Sequence, residues 1–188
     1  MAETRHTTDL IEVIVADHRA VEGVFSQLEQ GAGDPAKRKG MVEHVITELV
    51  RHSVAEEQYM YPAARKALPD GDEIADHEIG EHAEAERVMS ELSGLEPVDP
   101  RFEELLSTLM SDIRHHVQDE ENDLLPRLRE ACGQQELAEL GSKVLQAKEW
   151  APTRPHPNAP DTPPANRILD PGAGLVDRMR DAVSGGGR

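Results

Sequence analysis

The sequence predicts an all-α fold: an antiparallel, up-down four-helix bundle with a short fifth helix and an extended C-terminal tail. Three observations predict it. Apolar residues recur at helical spacing through four long segments, punctuated by short Gly-, Pro- and Asp-containing turns. Aromatic residues make up only 3% of the chain, so a core must be built from Leu, Val, Ile, Met and Ala, which suits helices better than a sandwich. One pattern also occurs twice at an offset of 64 residues. His18, Glu22, His52, Glu56, Glu57 and Pro62 fall on His82, Glu86, His116, Glu120, Glu121 and Pro126, while Val45 and Leu49 fall on Leu109 and Ile113. The chain reads as two copies of a helical hairpin.

The first helix starts at Thr7, Thr8 and Asp9 and runs to about Gln30, with Ile11, Ile14, Val15, His18, Val21, Phe25 and Leu28 on one face. Gly31-Ala32-Gly33 ends it. Asp34-Pro35 supplies a cap followed by proline at the first helical position. The second helix then runs to about Tyr61, where Pro62 is expected to kink or end it. Its inward stripe is Val45, Leu49, His52, Glu56 and either Tyr59 or Met60. A turn at Leu68-Pro69-Asp70-Gly71 leads to the third helix, Asp72 to Ser93, with Ile79, His82, Ala85 or Glu86, Met89 and Leu92 inward. Asp99-Pro100 repeats the earlier cap, and the fourth helix runs to about Cys132 with Leu105, Leu109, Ile113, His116, Glu120 and Leu124 inward. Gly133 closes it, and a shorter helix from Gln134 to Glu149 should pack on the bundle. Residues 1–149 are thus expected to form the bundle and 150–188 a Pro- and Gly-rich tail, mobile or loosely docked, with one short amphipathic helix over Leu175 to Val183.

Composition narrows the function. A formal charge of −17 argues against nucleic acid and anionic membrane as partners, since both require basic patches. Cys132 is the single cysteine, so no internal disulfide can form, which suits a reducing compartment. No apolar leader opens the sequence and no run of about 18 apolar residues occurs, so the expected location is the cytoplasm.

The repeated residues carry the chemistry. A His and a Glu four positions apart lie on one face of a helix. Here both interrupt an apolar stripe, so folding drives them inward, and a buried imidazole or carboxylate without a partner costs several kcal/mol as an order of magnitude. His18, His52, His82 and His116, joined by Glu56 and Glu120, can satisfy one another through a shared cation. Imidazole with carboxylate suits a borderline-hard metal, and two carboxylates can bridge a pair of ions. The expected product is a two-metal centre: iron first, with manganese or zinc as alternatives. His77 is a further ligand candidate, although an ideal helix turns it about 140° from His82. Glu78, four residues before His82, competes for that place. Tyr59 and His115 stand as extra-ligand or supporting candidates, and Glu57 and Glu121 as solvated groups or as acceptors for a ligand histidine's free N–H. His6, His44 and His156 read as solvent-facing, Glu22 and Glu86 as exposed flanks.

These residues resemble the hemerythrin-like, HHE cation-binding family over roughly residues 8–130. The resemblance rests on Asp17-His18-Arg19, on His52 and Glu56 followed by Tyr59-Met60-Tyr61-Pro62, on Glu81-His82, and on His116 and Glu120 followed by Leu124-Leu125-Pro126. It implies a four-helix bundle holding a non-haem di-iron centre that binds dioxygen or a related small ligand. His18 and His52 would serve one iron, His82 and His116 with His77 the other, and Glu56 and Glu120 would bridge. The oxygen carriers have His-x3-His on the third helix and His-x4-Asp on the fourth; this chain has His77 and His82 five apart, then His116-x3-Glu120. Three functions follow from the resemblance: binding or sensing of O2, NO, peroxide or iron, peroxide disproportionation, and a structural metal that only stabilises the fold.

Overall fold

The computed structural model describes residues 8–31, 34–159 and 172–181; His6 and the distal end of the expected tail helix, Ala182 and Val183, lie outside them. Among the described residues the regular structure is helical throughout. α1 spans Leu10–Glu29, and Asp9 caps it through a reciprocal pair in which Asp9 accepts from the Glu12 N–H and Glu12 accepts from the Asp9 N–H. α2, Pro35–Ala55, begins with Asp34 accepting from the Lys37 N–H and proline in the first turn, where a missing N–H is least costly. α4 is Gly71–Ser93 and α5 Pro100–Asp119, the latter capped by Asp99.

Pro62 does not end the second rod. The helix widens into a π turn, Glu56–Met60, in which the Tyr61 N–H reaches back to the Glu56 carbonyl, and resumes as α3, Tyr61–Ala67. Proline lacks the N–H that an uninterrupted α-helix would use and crowds the preceding turn; behind a widened turn it sits in the opening of a fresh α segment. The second copy does the same, with a π turn at Glu120–Leu124 between α5 and α6, Leu125–Ala131. Both π turns begin on the glutamate of the His-x3-Glu motif.

α1, the α2–α3 rod, α4 and the α5–α6 rod form the bundle, and α7, Gln134–Trp150, lies against α1 and α2. Its contact is close: a Cβ on Gly141 would come within 2.7 Å of the Thr8 carbonyl, so only glycine lets the two backbones meet there. The core is two apolar clusters. One holds Phe25, Leu28, Val45, Leu92, Phe102 and Leu109; the other holds Leu10, Ile14, Met60, Ala64, Leu124 and Val144. α5 buries Phe102, Leu106, Leu109 and Ile113, so its stripe begins on Phe102 and Leu106 rather than on the expected Leu105, which sits at the flank. Phe102 is fully buried, and Phe102→Ala is expected to destabilise the chain by about 3–5 kcal/mol, read by denaturant unfolding at fixed metal content.

The described tail is docked. Thr47 donates to the Thr153 carbonyl and the His156 N–H donates to Glu86 Oε1 at 2.7 Å. A further helix, α8, covers residues 172–181. It inverts the amphipathic expectation: Leu175, Val176 and Met179 are exposed, while Asp177 faces inward. His156 corrects the solvent-facing reading, being half-buried with Nε2 3.0 Å from Asp177. His44 is exposed as expected.

Candidate metal centre

The four repeated histidines are buried and meet at the level of the π turns. Their rings pair: His18 with His52 at 5.0 Å between centroids, His82 with His116 at 4.8 Å. Glu56 and Glu120 stand between the pairs with no solvent exposure. Glu56 lies 3.0 Å from His52 Nε2 through one oxygen and 3.4 Å from His82 Nε2 through the other. Glu120 likewise lies 3.4 Å from His18 Nε2 and 3.7 Å from His116 Nε2. Each carboxylate therefore spans both histidine pairs.

Every histidine turns its other nitrogen outward onto a carboxylate. His18 Nδ1 lies 2.8 Å from Glu121, His82 Nδ1 3.0 Å from Glu57, His52 Nδ1 3.2 Å from Asp17 and His116 Nδ1 3.0 Å from Glu81. The partners obey the same offset as the histidines. Carboxylates beside Nδ1 fix the ring orientation and aim Nε2 at the centre, the arrangement a metal ligand requires. The buttresses are tied down in turn, Glu121 by a two-pronged contact from Arg19 and Asp17 by Lys148 of α7 at 2.5 Å.

Two residues break the symmetry. Glu78 occupies the position that Ile14 holds in the first copy and is buried with one oxygen 2.9 Å from His116 Nδ1; Glu78, His116 and Glu120 form a further group of converging donors. Tyr61, where the second copy has Leu125, is fully buried and donates to Glu120 Oε1 at 3.0 Å, with His82 Nε2 at 3.1 Å. Tyr59, the tyrosine singled out from the sequence, packs instead against the apolar cluster at the side of the bundle. The π turn is the reason: it inserts one residue after Glu56, so Tyr61 takes the inward place that an α-helix would give to Met60, and Tyr59 is turned off the stripe.

His77 stays outside. Its side chain is 62% exposed and approaches Glu81 at 3.5 Å, forming with Glu81 and Asp119 a surface group separate from the buried donors. α4 remains α-helical there, so nothing compensates the rotation between His77 and His82. His115 is exposed near Asp119. Glu22 and Glu86 are half-buried rather than exposed flanks, Glu22 holding Arg114 and Glu86 the tail. His77→Ala is expected to leave bound metal unchanged, whereas Glu78→Ala should lower it, as elemental analysis after reconstitution would read. Asp17 and Glu81 escaped the sequence reading as histidine buttresses, although the paired Asp17-His18 and Glu81-His82 stood at the repeat offset.

The site's electrostatics call for a cation. Burial opposes the imidazolium of His52, but Glu56 and Asp17 outweigh it and push its pKa up to about 10. Burial likewise opposes the Glu56 carboxylate, and His52 with His82 outweighs it, holding the carboxyl well below its ordinary value. Glu78 goes the other way, raised by burial more than His116 can lower it. Burial, then the Glu120 charge, raise the Tyr61 phenol well above its usual range, so it remains a donor. Even so, His18 Nε2, both oxygens of Glu56, Glu78 Oε2 and Glu120 Oε2 are buried without an aligned hydrogen bond. Unsatisfied buried polar atoms are rare in folded proteins; among the described residues these five gather at the centre, and the other two, Asp177 Oδ1 and Arg178 Nη2, lie in the tail. His18, His52, Glu56 and Glu120 offer donor atoms within 4.8 Å of one another, as do Glu56, His82 and His116. The residues fit a pair of metal ions.

The hemerythrin HHE cation-binding domain model matches residues 9–128. The chain belongs to the hemerythrin HHE family. Across 177 residues, 94% of this chain and 87% of the relative, the hemerythrin-like chain is 27% identical to an uncharacterized hemerythrin-like protein of Schizosaccharomyces pombe. It is also 27% identical over 139 residues to a DNA nickase of a Nostoc strain, of which it spans only 38%. In fold it is similar to the crystal structure of a hemerythrin HHE cation-binding domain-containing protein from Mycobacterium kansasii, with a TM-score of 0.64, 22% identity, and coverage of 75% of this chain and 85% of that one. The hemerythrin domain carries a His/Glu cluster able to hold metal, and no helix among the described residues is long and apolar enough to cross a membrane.

Beside the cluster a cavity of about 360 Å³ opens between α1 and α5, walled by Phe25, Leu49 and Ile113 and reaching His18, His52, His82 and His116. Its rim carries Arg19, Arg114 and Asn122.

Proposed function

We propose that this hemerythrin-domain protein holds two iron ions and binds a small oxygen or nitrogen ligand, dioxygen, peroxide or nitric oxide, from the cavity beside α1. The observation that supports it is the unequal share of donors around a symmetric frame. His18 and His52 would hold one ion and His82 and His116 the other, with Glu56 and Glu120 spanning both. Glu78 would add a donor on the His116 side, where the first copy offers only Ile14. The ion on His18 and His52 would therefore keep more coordination positions free, and the cavity reaches all four histidines. When bound, iron supplies those open positions and one-electron redox chemistry. The protein's own part is to aim four imidazoles at the centre, to surround the ligand with Phe25, Leu49 and Ile113, and to present the Tyr61 O–H beside Glu120.

A nucleic-acid partner is not favoured. Among the described residues several surface arginines are engaged by carboxylates: Arg38 by Glu103, Arg65 by Asp72 and Asp76, Arg101 by Glu91, Arg114 by Glu22 and Glu29. A formal charge of −17 further disfavours attraction to phosphate.

A second reading, disproportionation of hydrogen peroxide to water and dioxygen, draws on Tyr61. Its phenol is kept protonated and sits among the converging donors, where it can deliver a proton to a departing oxygen. One experiment separates the readings. Iron-loaded protein is mixed with peroxide while dioxygen and the optical spectrum are followed. A stable coloured adduct without gas supports binding; sustained dioxygen release, slowed in Tyr61→Phe, supports turnover. Two irons per chain are expected, and a colourless protein retaining zinc alone from an iron-replete preparation would refute both.

A further inference from the structure

The repeat that duplicates the ligands also duplicates the approach to them. On one side the groove between α1 and the α5 π turn is bordered by Arg19, Glu22, Phe25, Gln118, Glu121 and Asn122 and opens into the 360 Å³ cavity. Shifted by the repeat offset, five of the matching residues, Val54, Glu57, Ala83, Glu86 and Met89, border a second groove between α4 and the α2 π turn, which also reaches His82. That groove retains only about 90 Å³, because Pro152, His156, Pro157, Ala159 and Ala173 of the tail line it too.

We propose that the tail is the stopper of this second entrance, so that a small ligand is barred from the α2–α4 side and reaches the centre through the α1–α5 groove or through the α4–α5 opening beside His82 and His116, which the tail does not line. The inference rests on the two-metal reading for what is being approached, but not for the closure itself. The two copies of one glutamate carry the difference. Glu22 is engaged by Arg114 and borders the open groove; its counterpart Glu86 accepts the His156 N–H and so pins the tail across the other. The tail is built to stay there. Asp177 of α8 is fully buried and accepts from the Thr153 and Arg154 N–H groups, with His156 Nε2 at 3.0 Å. Arg154 reaches Asp181, and Arg178 donates to the Glu149 and Ala151 carbonyls. Gly174 allows the seating: a Cβ there would come within 2.3 Å of the Trp150 carbonyl and 2.8 Å of the Ala151 carbonyl, both backbone atoms. α8 turns Asp177 inward and leaves Leu175 and Met179 to solvent, so polar contacts rather than burial of its apolar side hold it. The likeness to the S. pombe protein covers 94% of the chain and thus extends past the domain match at 9–128 into this segment.

The test uses the full-length, metal-free chain with Cys132→Ser, carrying one thiol at a time. Ala83→Cys reports the closed groove and Asn122→Cys the open one, each read by its rate of reaction with a maleimide. Ala83→Cys is expected to react at least tenfold more slowly than Asn122→Cys. Adding Gly174→Val, or the milder Asp177→Asn should valine impair folding by circular dichroism, should raise the Ala83→Cys rate at least tenfold and leave Asn122→Cys unchanged. Equal rates with the native tail, or no rise when it is unseated, overturn the stopper. A second arm follows Co2+ uptake after the Asn122→Cys thiol has been capped with a bulky maleimide. Uptake by the capped chain should rise several-fold with Gly174→Val; uptake no faster once the tail is unseated overturns the tail as a barrier to the centre. A chain that takes up no cobalt in any form would instead refute the two-metal reading, while the thiol rates still decide the closure.

Discussion

Glu56→Ala is expected to strip most of the metal from the protein and to remove most of the stability that metal confers. Glu56, like Glu120, is a donor common to both histidine pairs, within 3.0 Å of His52 and 3.4 Å of His82, and neither of its oxygens has an aligned hydrogen bond to lose. Alanine therefore deletes a contact to each ion at once and leaves imidazoles facing a void too polar to stay dry. For the intact protein, a ligand present at a thousand times its dissociation constant stabilises the fold by about 4 kcal/mol. In a chain of this size that is a melting shift of roughly 8–16 °C. Reconstituted wild type should show the full shift between chelated and loaded forms in calorimetry, and Glu56→Ala only a small part of it, with metal content well below two per chain. Glu56→Gln, which keeps the shape but not the charge, should fall between. Equal metal content in wild type and Glu56→Ala would remove Glu56 from the ligand set.

The second large effect is on pH. In the metal-free protein, His52 is held protonated to about pH 10 by Glu56 and Asp17 against the cost of burial, and His82 and His116 are raised as well. A group raised in the folded state lends stability that is fully present below its unfolded pKa, about 6.5 for His, and is lost as pH rises through the folded value. Glu56, held low, lends stability above its unfolded pKa, about 4.3, and loses it as pH falls through the depressed folded value. The metal-free chain is thus expected to be most stable between those limits and to weaken towards pH 10. Metal requires neutral imidazole, so protons and ions compete for the same atoms. Below the raised pKa values, affinity should fall about tenfold per pH unit for each proton displaced. Titration calorimetry in buffers of different ionisation enthalpy should show more than one proton released per chain on loading at pH 7. A binding constant flat from pH 6 to 9 would mean that these imidazoles are not the ligands.

Much of this molecule can be read without coordinates because the chain repeats itself. A periodic apolar stripe specifies a helix face, and a residue on that stripe is driven inward whatever its chemistry. His18, His52, Glu56, His82, His116 and Glu120 could therefore be named from spacing alone, as could the Glu57 and Glu121 option of holding a ligand histidine. What spacing misses is any departure from the ideal turn. Pro62 and Pro126 marked such a departure, but an interrupted helix and a π turn both accommodate a proline, and the choice between them depends on whether neighbouring rods hold the segment in line. The misplacement of Tyr59 for Tyr61 follows from that one rotation. His77 illustrates the converse: α4 stays a regular α-helix, which keeps His77 turned away from His82, and Glu78, already at the right spacing, takes the inward place.

The sequence by itself determined the number of rods, their inward faces and the types of donor they present, because those depend on local periodicity and on the cost of burying a polar group. Only the tertiary structure decided which carboxylate orients which histidine, which tyrosine joins the site, and which of two equivalent grooves stays open. Those outcomes depend on contacts between segments far apart in the chain, Asp17 with His52, Tyr61 with Glu120, Glu86 with His156, and no local pattern encodes a distance across a bundle.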